Sequence, residues 1–457
     1  MKYIIALACL FHSSLLFAQD SVKQARSPLD AFAKGNVHGR LRTVYITDIN
    51  QGSLPDYYAF VAGGNFKFET ASFHGFTAGA GASFTYILSS SDLGAIDSAT
   101  GQRSRYELLQ GDIQDPYNKM NMTRLDALFL KYKDKDFSVV WGKQLLATPF
   151  INQQDIHMRS SLADGIYMTS ELSKRVHMEG AFIYGISPGA TRRWFNVSES
   201  IGVYNQGVNA NGTKGNYAGN LHSDGIVLYN LSAQVTKKLK VVLWEQAVLG
   251  IFNTALIQPE YTFKLRNNKS LLLAGQLIRQ YAFDDGGNPD PNKAYFTPGA
   301  QSMIFGGRVM YIAPVFNICV NYTRITADGR YLMPREWGRE PMFTFLMREQ
   351  IEGAGDVHAL TTKGSYTFKK ARVRADIGIG YYNMPDVTNV AMSKYGMPSF
   401  MQYCTLVKYS FNKKLKGLEA ELVYMYKEKV GSAVVPDKYI INKVNMHQIC
   451  TAVNFVF

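Results

Sequence analysis

Hydrophobic and polar positions alternate with a period of two along most of the chain after residue 36. In the closing stretch, Ile449, Thr451, Val453, Phe455 and Phe457 fall on one side, with Gln448, Cys450, Ala452 and Asn454 on the other. Successive side chains of a β-strand point to opposite faces, so this pattern predicts strands. Eighteen such runs stand out, the first at 36–48 and the last at 443–457, and no convincing amphipathic helix lies between them. An apolar face on so many strands of about ten residues predicts an all-β fold, a transmembrane antiparallel β-barrel.

The connections sharpen this. Even-numbered ones are short, among them Ala71–His74, Asp134–Lys135, Asn267–Asn268 and Lys369–Lys370. Most odd-numbered ones are long: 89–120, 147–162, 189–222, 284–301, 327–356, 384–400 and 429–442. Short turns at one rim and long loops at the other mark a barrel of the bacterial outer membrane, with short periplasmic turns and long extracellular loops. One short odd connection, around Gly250–Phe252, leaves sixteen strands as the fallback count.

Alternation also assigns faces. Val373, Ala375, Ile377, Ile379 and Tyr381 are expected to face lipid, which turns Arg372, Arg374, Asp376, Gly378 and Gly380 to the lumen. In the first strand Val37, Gly39, Leu41 and Tyr45 oppose His38, Arg40 and Arg42. An arginine facing lipid at the midplane costs about 2–4 kcal/mol, so these arginines belong inside.

Lys2, the apolar stretch Tyr3–Phe17 and the small Ala18 read as a cleaved signal peptide, residues 1–18, too short to span a bilayer. Residues 19–35 then form a short periplasmic segment and 36–457 a single barrel domain, with no N-terminal plug domain expected. The final Phe457 resembles the signal by which outer-membrane barrels engage their assembly machinery. The 27 Phe and 28 Tyr suit aromatic girdles at the two lipid interfaces. Cys319, Cys404 and Cys450 are too far apart in sequence to suggest a disulfide framework or a metal site.

A net charge of +13, spread over strands and turns without a basic tail, favours a lumen that attracts anions over nucleic-acid binding. No cofactor motif is found: Gly79-Ala80-Gly81 is a strand glycine pair with no helix after it. None of the eight histidines sits in a hydrolase motif, so no enzyme is expected. His177 and Glu179 share a strand face but lack a third metal ligand, and local hydrogen bonding is the simpler role.

Several patches resemble the OprD-type porins, outer-membrane channels for small solutes that often carry a carboxylate. Ala31-Phe32 followed by Gly35-Asn36-Val37-His38-Gly39-Arg40-Leu41-Arg42 is similar to the family's first strand. Gly142-Lys143-Gln144-Leu145-Leu146, with Thr148-Pro149-Phe150-Ile151-Asn152 and Asp155, resembles its signature at the strand entering the third loop, and Trp337-Gly338-Arg339-Glu340-Pro341 resembles distant members. The resemblance implies an eighteen-stranded barrel, monomeric or loosely trimeric, with the third loop folded into the pore. It also implies a basic row that guides a substrate carboxylate. The third loop here is 147–162, carrying Asp155, His157 and Arg159. For the row, Arg40, Arg42, Arg308, Lys363, Arg372, Arg374 and Lys408 have inward parity.

The expected function is passive diffusion of small hydrophilic, anionic or carboxylate-bearing solutes, with lipids as the other partner. An adhesin or structural barrel acting through 189–222 and 327–356 is the alternative. Loop acids such as Asp155, Glu340, Glu349 and Glu352 can meet a substrate amine, or hold the loops together through Arg159, Arg335, Arg339 and Arg348.

Overall fold

The computed structural model describes residues 24–153 and 158–457, so segment 1–18 and the loop residues Asp155 and His157 lie outside the described residues. In chain order the strands are β1 (Asn36–Asn50), β2 (Tyr57–Glu69), β3 (Phe76–Ser90), β4 (Met122–Lys133), β5 (Phe137–Gln144), β6 (Leu162–Ser173), β7 (Val176–Ser187), β8 (Phe195–Asn196), β9 (Ile226–Gln234), β10 (Leu239–Val248), β11 (Phe252–Lys264), β12 (Ser270–Ala282), β13 (Gln301–Ile312), β14 (Phe316–Ile325), β15 (Val357–Phe368), β16 (Val373–Asn383), β17 (Phe400–Ser410), β18 (Leu418–Lys429) and β19 (Met446–Val456). Eighteen of them form one antiparallel barrel, and the two-residue β8 extends the edge of β7. β1 closes the ring on β19, in register from Arg40 opposite Val456 to Asn50 opposite Met446. The odd short connection is real: β10 and β11 are joined through 249–251 and pair from Val248–Phe252 to Leu239–Tyr261. The count is therefore eighteen.

Local chemistry explains the joints. Asn267 and Asn268 both take positive φ, 58° and 55°, as the central residues of a primed hairpin turn require. Pro259, which has no N–H to donate, interrupts the β11–β12 ladder between Ile257–Leu277 and Glu260–Ala274.

The faces follow parity. Leu128, Leu130, Val309, Ile318, Val320, Leu360, Ile377 and Ile379 are exposed on the outside. An apolar band of this extent is stable against lipid and not against water, so the barrel spans a membrane. Aromatic contacts bound the band at both rims, for example Tyr366–Phe368 and Phe66–Phe457 at the turn side and Tyr45–Tyr58 and Tyr403–Tyr426 at the loop side.

The interior divides in two. Towards the loops the inward positions are largely apolar and buried, including Val44, Ile46, Val61, Ile183, Ile304, Val357 and Phe400. They pack around Tyr331, Trp337 and Leu346 of the long connection 326–356, the seventh loop, which is folded inside the barrel. Towards the turns the inward positions are mostly polar and charged, apart from a small buried apolar cluster of Leu272, Met310 and Cys319.

Candidate functional site

On the wall, each predicted basic residue has a definite place. Near the turns, an Arg42 Nη sits 3.6 Å from Glu421. Lys408 lies between Glu419 and Glu421, at 2.6 and 3.5 Å, and Arg374 pairs with Asp376 at 2.9 Å. Arg40 is half-buried on the same inner face of β1. In this part of the wall the basic residues alternate with carboxylates of β16 and β18 that share the inward parity, so they form a ladder of both signs. The place expected for Arg372 is corrected. It lies in the turn 369–372 with φ at 54°, exposed at the rim and off the strand. His177 bonds locally between Glu171 (2.8 Å) and Glu179 (3.2 Å).

Higher up, Arg308 and Lys363 bind the seventh loop. The Lys363 ammonium donates to the Phe345 carbonyl (2.6 Å), and Arg308 donates to Asn321 (2.6 Å) and the Phe343 carbonyl (3.2 Å). The Arg308 guanidinium also lies 4.2 Å from the centre of the Phe343 ring. Tyr382 donates to the Thr344 carbonyl (2.8 Å), and Gln402 to that of Met347 (2.6 Å). Gly378 and Gly380 leave room on β16 for Leu346: an added Cβ would lie 2.8 and 2.9 Å from its methyl carbons. A segment rich in apolar residues, 342–347, is thus laid flat against the wall, its carbonyls satisfied by side chains of the barrel as buried backbone requires.

Four loops interlock around it. Asn152 of the third loop, 145–161, accepts from the Arg339 N–H (3.0 Å) and donates to its carbonyl (2.9 Å). Arg159 is buried and donates to the Gly111 carbonyl (2.7 Å), so it braces the second loop, 91–121. The indole of Trp337 donates to Ser200 (2.9 Å), and Glu336 accepts from the N–H groups of Gly202 and Tyr204 (2.9 and 2.8 Å), all in the fourth loop. The described residues of the third loop, Phe150 and Ile151 among them, are buried inside the barrel together with the seventh.

Among the described loop acids, Glu340, Glu349 and Glu352 make bracing contacts. Glu340 accepts from the backbone N–H groups of Ile351 (2.9 Å) and Glu352 (2.8 Å). Burial pushes its carboxyl up to about 8, against the opposing pull of those donors. Glu352 pairs with Arg335. Glu349 pairs with Lys427 and with Arg105 (3.2 Å). Burial alone would raise the Glu349 carboxyl, but Arg105, Lys427 and Arg335 outweigh it and hold it down at about 2.

These contacts leave a chamber of about 70 Å³, lined by Arg105, Arg335, Arg339, Arg348 and Glu349 together with Tyr106, Tyr204 and Phe345. Four guanidiniums face Glu349 and, behind Arg335, its partner Glu352, which leaves an excess of positive charge. Planar forks of this kind bind carboxylates and phosphates bidentately. Arg339 was marked by the sequence. Arg105 was not, because nothing in a single long connection says that it turns into the lumen.

No family model matches the chain, and no curated protein does. Solved structures do. OccAB4 of Acinetobacter baumannii superposes with a TM-score of 0.69 at 16% identity, covering 93% of this chain and 98% of that one. OccK9 (OpdG) of Pseudomonas aeruginosa gives 0.71 at 11% identity over 93% and 99%. OpdK of Pseudomonas aeruginosa, solved with vanillate, gives 0.69 at 11% identity over the same shares. The fold is that of the OprD-type channels. At these identities the likeness extends to the OprD-type architecture, from the first strand to the last, and leaves the chamber to be judged on its own residues.

Proposed function

We propose that this protein is a diffusion channel of the bacterial outer membrane for small hydrophilic solutes, with a preference for anionic, carboxylate-bearing ones. The observation that carries the reading is the group of Arg105, Arg335, Arg339 and Arg348 around one chamber inside the barrel. Guanidiniums in a narrow, low-dielectric passage focus the field and concentrate anions. The chamber has room for a carboxylate head or a few waters. The mixed ladder of Arg42, Glu421, Lys408 and Glu419 beyond it offers weak successive contacts, which suits release better than a deep trap. OpdK, of the same fold, was solved with vanillate, an aromatic carboxylate, and a small organic anion is the substrate class we extend to this chain.

Single-channel recording in a planar bilayer under a salt gradient tests this. Anion-selective reversal is expected, and Arg339→Gln with Arg348→Gln should move it towards zero. Cation-selective reversal would overturn the substrate class, and absence of conductance would overturn the channel. In the second case, binding of a surface partner through the loops becomes the better reading.

A further inference from the structure

Seven arginines lie on the strands of the described barrel, and five of them, Arg40, Arg42, Arg124, Arg308 and Arg374, face inward. The other two, Arg279 and Arg324, face out, and both sit at the loop-side rim. They flank one strand: Arg279 stands opposite Met303 and Arg324 opposite Phe305, two residues apart on the same face of β13. His358 follows on β15, directly opposite Arg324. Around them the surface is the lipid-facing band itself, with Leu277, Tyr281, Phe305, Tyr322 and Leu360 all exposed.

Neither charge is buried against a fixed partner. Arg279 is exposed, and its hydrogen bond is to the neutral side chain of Gln301 (3.1 Å). Arg324 pairs with Asp356 at 2.6 Å, but that carboxylate is half-exposed on the loop and can yield to a competing anion. The His358 ring bonds the Tyr322 hydroxyl at 2.7 Å and brings no negative charge. A guanidinium this close to hydrocarbon is costly unless it meets a headgroup, and the cost falls to about 0–1 kcal/mol at the interface.

We propose that Arg279 and Arg324 form a docking site on the outer wall for a lipid whose headgroup carries an unbalanced phosphate, in the leaflet on the loop side. The site rests on the reading of the barrel as membrane-spanning and is independent of what passes through the lumen. The fork of Arg279 takes two phosphate oxygens, Arg324 takes a further oxygen or a second phosphate across β13, and the acyl chains lie along the exposed band below. The position of both arginines where the apolar band ends, and the lack of a matching outward pair at the turn side of the described strands, commit the occupant to a lipid.

Native mass spectrometry of the detergent-folded protein tests it, with equal amounts of phosphatidylglycerol and phosphatidylcholine as probes. The wild type should retain phosphatidylglycerol preferentially. A basic side chain near an anionic surface contributes about fivefold, so Arg279→Gln with Arg324→Gln should lower the preference by about thirtyfold. Heat-modifiable gel mobility and single-channel conductance report that the variant is folded, and both should match the wild type. Lys369→Gln with Lys370→Gln, at the opposite rim, should keep the preference. An unchanged preference in the arginine variant, an equal loss in the lysine variant, or no preference in the wild type would each overturn the site. Absence of conductance in the wild type would touch only the channel reading.

Discussion

Glu349, in the seventh loop, and Lys427, on the inner wall of β18, form an ion pair shielded from solvent on both sides and 78 residues apart in the chain. Arg105 of the second loop completes the site from the other side, and the Lys427 ammonium also donates to the Tyr106 hydroxyl (3.0 Å). This is where two loops and the wall are tied together.

Removing one partner of such a pair leaves a buried charge uncompensated, which costs about 3–5 kcal/mol. Glu349→Ala should therefore release the segment 341–350 from the wall, raising its hydrogen exchange and making single-channel current larger and noisier. The pH dependence has a definite sign. The Glu349 carboxyl is held at about 2 in the fold, below the unfolded value of about 4.3, so its contribution is complete above that unfolded value. It is lost as pH falls from about 4 towards 2. Exchange in 341–350 that stays unchanged across both the substitution and this window would show that the pair does not hold the loop.

Strand charges should matter less than loop charges. Lys408 and Arg374 sit beside carboxylates on the charged, turn-side half of the lumen, where water and salt screen them within about 8 Å at physiological ionic strength. Lys408→Gln or Arg374→Gln should shift the reversal potential less than Arg339→Gln does, and the gap should widen as salt is raised. A larger shift from the strand variants would return the selectivity to the wall.

Why the wall was legible in the sequence and the chamber was not comes down to period. Alternation over Val373 to Tyr381 or Ile449 to Phe455 has one consistent solution for a membrane barrel, and the structure follows it residue by residue. Parity says nothing once the strand stops, and that is how Arg372, two residues before Arg374, was placed on the wall when it turns the corner. Nor does parity show which carboxylate a lysine meets: Glu421 reaches both Arg42 and Lys408 only because β18 lies near β1 in the closed ring. A signal for the inward loop was present in Met342-Phe343-Thr344-Phe345-Leu346-Met347, an apolar run too rich for a solvent-facing connection.

That run depends on two glycines. A methyl group at Gly378 would come within 2.8 Å of Leu346 and of the Cys404 sulfur, and one at Gly380 within 2.9 Å of Leu346. Gly378→Ala with Gly380→Ala should lift Leu346 off β16 at a cost of about 1–3 kcal/mol, seen as faster exchange in 341–350 with the barrel still folded. Adding Leu346→Ala removes the contact with the loop, though not those with Cys404 and Tyr382 on the wall (2.8 and 2.7 Å), and should restore part of the protection. If the triple variant exchanges as fast as the double, the glycines act on the strand and not on the loop.

The turn that carries Arg339 into the chamber is pinned by Glu340, and here alkaline pH is the lever. Burial, with a contribution from nearby Glu352, holds the Glu340 carboxyl at about 8, above the unfolded value of about 4.3. The folded loop thus binds a proton that the unfolded chain releases, so the stabilisation is whole below about pH 4 and declines as pH rises through about 8. Ionisation also places a negative charge one residue from Arg339. Between pH 7 and pH 9, about one unit either side of the folded value, the channel should become noisier and less anion-selective. Glu340→Gln keeps an acceptor for the Ile351 and Glu352 N–H groups but cannot ionise, and it should flatten both trends. Recording the reversal potential of wild type and variant across this range decides the matter, since a pH dependence that survives in the variant must come from another group.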